Sequence, residues 1–71
     1  NLTELDLFSN QISDIRPLAS LTKLTKLDLS FNQINDLRSL AGLRNLTELS
    51  LIENPIKNKN CPVQPNTICQ F

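Results

Sequence analysis

Histidine, methionine, tryptophan and tyrosine are absent from these 71 residues, and glycine occurs once, at Gly42. Without an imidazole, no His-based triad or dyad can be assembled. A single glycine leaves no loop in which backbone N–H groups could cradle a phosphate. The Ser and Thr hydroxyls have no evident base beside them in sequence, so no enzymatic activity and no cofactor are expected. Long apolar runs are also missing. The longest are two or three residues, against the roughly 18 that a membrane-spanning helix needs, and no signal-peptide pattern of basic start and apolar stretch is present. Seven basic side chains balance seven acidic ones, which argues against nucleic acid or an anionic membrane as a partner. A chain of this length forms one domain and buries only about 60% of its unfolded surface, so its stability needs help from elsewhere.

What the chain does have is repetition. Leu2, Leu5, Leu7, Asn10 and Ile12 recur as Leu24, Leu27, Leu29, Asn32 and Ile34, then as Leu46, Leu49, Leu51, Asn54 and Ile56, a period of 22 residues. A unit of that size cannot bury its own apolar face and must stack on its neighbours. Within each unit Leu5 and Leu7 alternate with Glu4, Asp6 and Phe8, the period of two that marks a short strand with leucines inward. The return path carries Ile12, Ile15, Leu18 and Leu21, matched by Ile34, Leu37, Leu40 and Leu43. That spacing of three, with Pro17 inside it, predicts 3₁₀ turns near residues 17–20 and 39–42 in place of a long helix.

The pattern L-x-x-L-x-L-x-x-N-x-I resembles the leucine-rich-repeat signature. The run N-Q-I-S-D-I-R-P-L-A-S-L-T, from Asn10 to Thr22, is similar to the 22-residue class of bacterial internalins and of eukaryotic phosphatase-regulatory repeat proteins. The resemblance implies an α/β leucine-rich-repeat solenoid: short parallel strands on the concave face, 3₁₀ turns and loops on the convex face, and an irregular C-terminal cap. It also implies a structural role for Asn10, Asn32 and Asn54, turned inward to bond the main chain of neighbouring coils. Two full repeats (1–22 and 23–44) and a partial one (45–56) are expected, followed by a capping segment over 57–71. Because the chain opens in the middle of a repeat, it reads as the C-terminal part of a longer protein. At that opening Leu2, Leu5, Leu7, Ile12, Ile15 and Leu18 are expected on an uncovered end beside an unpaired strand edge, which invites self-association.

The repeat grammar fails after Ile56, where Lys59 stands in place of Ile15 and Leu37. The tail C-P-V-x-P-x-x-I-C-x-F is similar to endings of leucine-rich-repeat proteins in cyanobacteria and related bacteria. Its Cys61 and Cys69 are the only cysteines. A disulfide between them is expected and contributes about 2.5 kcal/mol on the chain-entropy model; two reduced, buried thiols are the alternative. A metal site is not expected, since zinc needs two further ligands and none is near. Two N-x-T triplets, at Asn1 and Asn45, follow from the repeat consensus.

The outward strand positions form the candidate partner-binding surface. They fall into rows: Glu4, Lys26 and Glu48; Asp6, Asp28 and Ser50; Phe8, Ser30 and Ile52; with Phe31 at a strand end. Neighbouring strands lie about 4.8 Å apart, so each row is a physical ladder. Apolar anchors ringed by charge have the character of interface hot spots. The alternative has Phe31 filling the corner between strand and turn, which shrinks the patch to Phe8 and Ile52. A protein-interaction module is the favoured function, ahead of a structural cap for a longer array or a regulatory appendage of an enzyme domain. The two cysteines favour an extracellular or periplasmic location over the cytoplasm. Mass spectrometry of the intact chain without reductant checks this: a bridged chain is two hydrogens lighter and resists alkylation, whereas two alkylated thiols return the protein to a reducing compartment.

Overall fold

The computed structural model describes residues 2–71. Three strands, β1 (Glu4–Asp6), β2 (Lys26–Asp28) and β3 (Glu48–Ser50), run parallel in chain order, joined by a fourth, β4 (Cys69–Gln70). The 22-residue period fixes the register of the first three. Leu5 lies opposite Leu27, and Leu27 opposite Leu49. Hydrogen bonding continues past each strand: the Leu7 and Ser9 N–H groups donate to the Asp28 and Ser30 carbonyls at 2.8 and 2.9 Å, and the Leu29 and Phe31 N–H groups donate to Ser50 and Ile52 at 2.9 and 2.8 Å.

Each return path contains one 3₁₀ turn, at Arg16–Ser20 and Arg38–Leu40. Both begin slightly earlier than the spacing predicts. Leu18 N–H donates to Ile15 and Leu40 N–H to Leu37, each at 3.0 Å. Pro17 fits because it is the second residue of its turn, where the main-chain N–H has no partner within the turn. Two short segments of this kind stack coil on coil without the bulk of a helix.

The core lies between the strands and the turns. Leu24, Leu29, Ile34, Leu40, Leu43, Leu49 and Leu51 are fully buried, and a leucine so placed contributes about 1.5–3 kcal/mol relative to exposure. The first coil is less covered: Leu5, Leu7, Ile12, Leu18 and Leu21 are half-buried and Leu2 is exposed. Ile15 departs from the expectation that it lies on an open end, for it is buried. It sits at the head of the first 3₁₀ turn and shares one apolar cluster with Leu37 and Leu40 of the next coil.

The inward asparagines close the corner after each strand. Asn32 is buried, and its Nδ2 donates to the Leu29 and Ser30 carbonyls of its own coil and to Leu7 of the preceding one, at 2.9, 3.2 and 3.0 Å. Its Oδ1 accepts from Ile12 N–H at 3.1 Å. Asn54 repeats this with Leu51, Ile52, Leu29 and the Ile34 N–H. Asn10 is exposed and bonds only Leu7 and Phe8 of its own coil. To turn each amide inward, the residue before it adopts a left-handed backbone: Ser9 and Phe31 at φ 60° and Glu53 at φ 59°. None of these is glycine, and each such residue costs about 1 kcal/mol. A second ladder, which the spacing of apolar residues does not reveal, runs through threonines. Thr25 Oγ1 donates to Thr3 O and Thr47 Oγ1 to Thr25 O, both at 3.1 Å.

After Ile56 the chain folds over the third coil. Val63 is buried, while Cys61, Ile68 and Cys69 pack against the core. A 3₁₀ turn at Asn66–Ile68 leads into β4, whose pairing with β3 is parallel and offset from the repeat: Leu49 faces Cys69, a step of 20 residues where the repeats step by 22. Cys61 and Cys69 are joined by a disulfide.

Replacing Asn32 by alanine orphans buried main-chain groups in two coils and is expected to cost about 2–4 kcal/mol in urea unfolding. Asn10→Ala, which breaks only exposed local bonds, is expected to cost under about 1 kcal/mol. Equal losses at the two sites would contradict the bridging role.

Candidate interaction surface

Alternation along the strands sends Leu5, Leu27 and Leu49 inward and their neighbours to the opposite face. There the main-chain register produces the rows. Glu4, Lys26 and Glu48 are Cα partners, as are Asp6, Asp28, Ser50 and Gln70. Together they line an open trough of about 440 Å³. In the first row Lys26 Nζ lies 3.4 Å from Glu48 Oε2. In the second, Asp6 Oδ1 accepts the Phe8 N–H and Asp28 Oδ1 accepts the Ser30 N–H, each at 3.0 Å. These short loops brace the backbone where each strand ends.

Phe8, Phe31 and Ile52 are exposed, the two aromatics by about half (51% and 48%). The Phe8 and Phe31 ring centroids are 5.1 Å apart with planes tilted by 59°, a geometry that suits the edge-to-face preference of aromatic quadrupoles. Phe31 therefore does not disappear into the corner between strand and turn. Its left-handed backbone carries the side chain out beside Phe8.

Ser30 needs correcting. It was expected among the outward contact residues, yet it is buried, and its Oγ hydrogen-bonds Ser50 Oγ. As the smallest side chain of its row, with its hydroxyl turned to Ser50 of the next coil, it presents little surface. Ser30 thus ties two coils together and leaves the exposed part of its row to Phe8 and Ile52. Gln70 is the converse case. It joins the second row although no repeat position announces it, because β4 stands outside the 22-residue period. The only sequence signal is the apolar pair Ile68–Cys69 just before it.

The turn side is chemically different. Asp14 and Arg16 form a bidentate pair, as do Asp36 and Arg38, with shortest contacts of 2.8 and 2.7 Å. All four side chains are well exposed. Hydrogen bonds from the arginine side chain, then from its backbone N–H, hold each aspartate down at about 2, from an ordinary 3.8. No group of three acidic or cysteine side chains that could hold a metal ion occurs among the described residues, and none of their helices is long and apolar enough to cross a membrane.

A sequence model of leucine-rich repeats, two copies in length, matches residues 1–42 and again residues 22–61. The chain belongs to the leucine-rich-repeat family. Its repeats are internalin-like. An internalin, InlF, from Listeria monocytogenes strain 4b F2365 is 48% identical, with a TM-score of 0.80 over 82% of this chain and 17% of that one. Internalin C2 from the same strain is 44% identical, with a TM-score of 0.81 over 86% of this chain and 26% of that one. The leucine-rich-repeat chain described here thus spans about a sixth and about a quarter of those two internalins. Among curated proteins none matches it.

The aspartates of the turn side make a pH prediction. Their carboxyls bind protons less readily in the folded chain than in the unfolded one. The stabilisation they give is therefore complete above the ordinary 3.8 and is lost as pH falls through about 2. Carboxyl-carbon NMR titration should place the Asp14 and Asp36 midpoints near the lower value. Asp36→Asn should flatten the acid limb of the stability profile, whereas midpoints near 3.8 would mean the pairs do not persist in solution.

Proposed function

We propose that this leucine-rich-repeat chain is a protein-interaction module that receives a protein partner on the strand face, the concave side of the array. The observation that carries the reading is the exposed apolar group of Phe8, Phe31 and Ile52 beside the acidic rows of that face. Exposed side chains of this size, ringed by charge and fixed on a rigid sheet, have the composition of interface anchors. Glu4, Asp6, Lys26, Asp28, Glu48 and Ser50 supply the polar surround. Among the described residues, the turn side offers ion pairs that satisfy one another and no comparable apolar group.

Residues 57–71 are read as the C-terminal cap of repeats 1–56. Val63 and Ile68 cover the last coil, and β4 occupies the edge of β3, a place where an unpaired strand invites aggregation. This packing also supports the second reading, in which the segment chiefly terminates a longer array. The disulfide supports an oxidising location, extracellular or periplasmic.

Photo-cross-linking from benzoylphenylalanine at Ile52 and at Ala19, in the protein's native surroundings, separates the two faces. Adducts with a discrete protein from position 52 and none from position 19 are expected. Adducts from position 19 alone would move the interface to the turn side, and none from either position would favour the terminating role.

A further inference from the structure

The strand face is unevenly charged. Glu4, Asp6, Asp28 and Glu48 stand against Lys26 alone. Lys26 is engaged by Glu48, and the other ion pairs among the described residues lie on the turn side. Asp6 and Asp28 are direct partners in register, so their main chains lie one strand spacing, about 4.8 Å, apart and both carboxylates belong to one ladder. Each commits Oδ1 to a local backbone N–H, leaving Oδ2 for another donor. Like charges so placed repel one another until a cation comes between them.

The exposed aromatic pair stands next to them. Half of the Phe31 side chain lies in water, an unfavourable placement for a large aromatic group and one in keeping with a contact role. Phe8 is two residues beyond Asp6, a distance of roughly 6.6 Å along an extended chain, comparable with the length of an arginine side chain. A guanidinium stem can lie along the rings while its head reaches the carboxylates, combining cation–π contact with charge-assisted hydrogen bonds.

We infer that the strand face selects a basic segment of a protein partner, seating an arginine between Asp6 and Asp28 with its stem on Phe8 and Phe31 and an adjacent aliphatic side chain on Ile52. The inference rests on the strand face being the binding side and adds the chemistry of what binds there. Charge complementarity identifies the occupant: an acidic or neutral segment would leave the paired carboxylates uncompensated.

The test is NMR titration of the ¹⁵N-labelled chain with three capped pentapeptides that alternate leucine with arginine, glutamine or glutamate. The arginine peptide is expected to shift the amides of Asp6, Phe8, Asp28 and Phe31 and to bind at least about fivefold more tightly than the glutamine peptide. The glutamate peptide should leave those amides unmoved. Asp28→Asn, which keeps the oxygen that accepts the Ser30 N–H, and Asp6→Asn should each erase most of that preference without altering the spectrum of the free chain. Added salt should weaken the arginine peptide alone. Equal binding of the arginine and glutamine peptides at the same amides overturns the cation selection and leaves the strand face standing as a binding surface. Shifts confined to the turn side, around Asp14 and Asp36, overturn both. No shift with any peptide overturns the basic-segment proposal, with the cross-linking contrast between positions 52 and 19 then deciding the strand-face reading separately.

Discussion

The corners after β2 and β3 leave main-chain groups facing inward where water has little access, and the fold depends on a side chain that can satisfy them from within the core. Asparagine meets the demand because it carries two donors and an acceptor on a short planar arm. Asn32 uses all of that capacity, joining Leu29 and Ser30 of its own coil to Leu7 and Ile12 of the coil before. Serine lacks the second donor, and glutamine's extra methylene would carry the amide away from the main-chain groups it must reach. The left-handed turns at Ser9, Phe31 and Glu53 follow from the same need. The leucine positions then fall into line, because fixing one corner per coil fixes the register of everything between.

Much of this architecture is legible from single positions repeated at a constant interval. Leu5 and Leu7 mark a strand by alternation, and their recurrence places β1, β2 and β3 in parallel before any contact is known. Pro17 and the three-residue spacing of the return path point to 3₁₀ turns for a local steric reason. What escaped depends on several coils at once. The burial of Ser30 goes with its bond to the hydroxyl of Ser50, which belongs to the next coil and the neighbouring row, and so is not a property of Ser30 alone. The three asparagines look alike in sequence, yet only Asn32 and Asn54 reach another coil. β4 has no repeat signature because its pairing step is shorter than the period. The rows of the candidate face were readable as positions. Their exposure was not.

The two faces divide the chain's charges in different ways. On the turn side each carboxylate is matched within its own coil by the arginine two residues on, so the pairs form locally and ask nothing of a neighbour. On the strand face the charges meet only because coils stack in register: Lys26 finds Glu48, and Asp28 is brought against Asp6. A zero net charge thus conceals a strand face with an acidic excess, which Lys23, Arg44, Lys57 and Lys59, set against Glu53, balance outside both the strand rows and the turn-side pairs. The charge pattern of such a face is a product of assembly, since no single repeat contains it.

The covalent link between Cys61 and Cys69 has a mechanical consequence. Tension applied beyond Gln70 passes across the sulfur–sulfur bond to Cys61 and bypasses the seven residues between them. Those residues include buried Val63 and the turn that feeds β4, so the covalent path of the load leaves them out. Pulled from that side, the pairing of β4 with β3 is strained first, and once it parts the load passes to the stretch between Ile56 and Cys61, outside the closed loop.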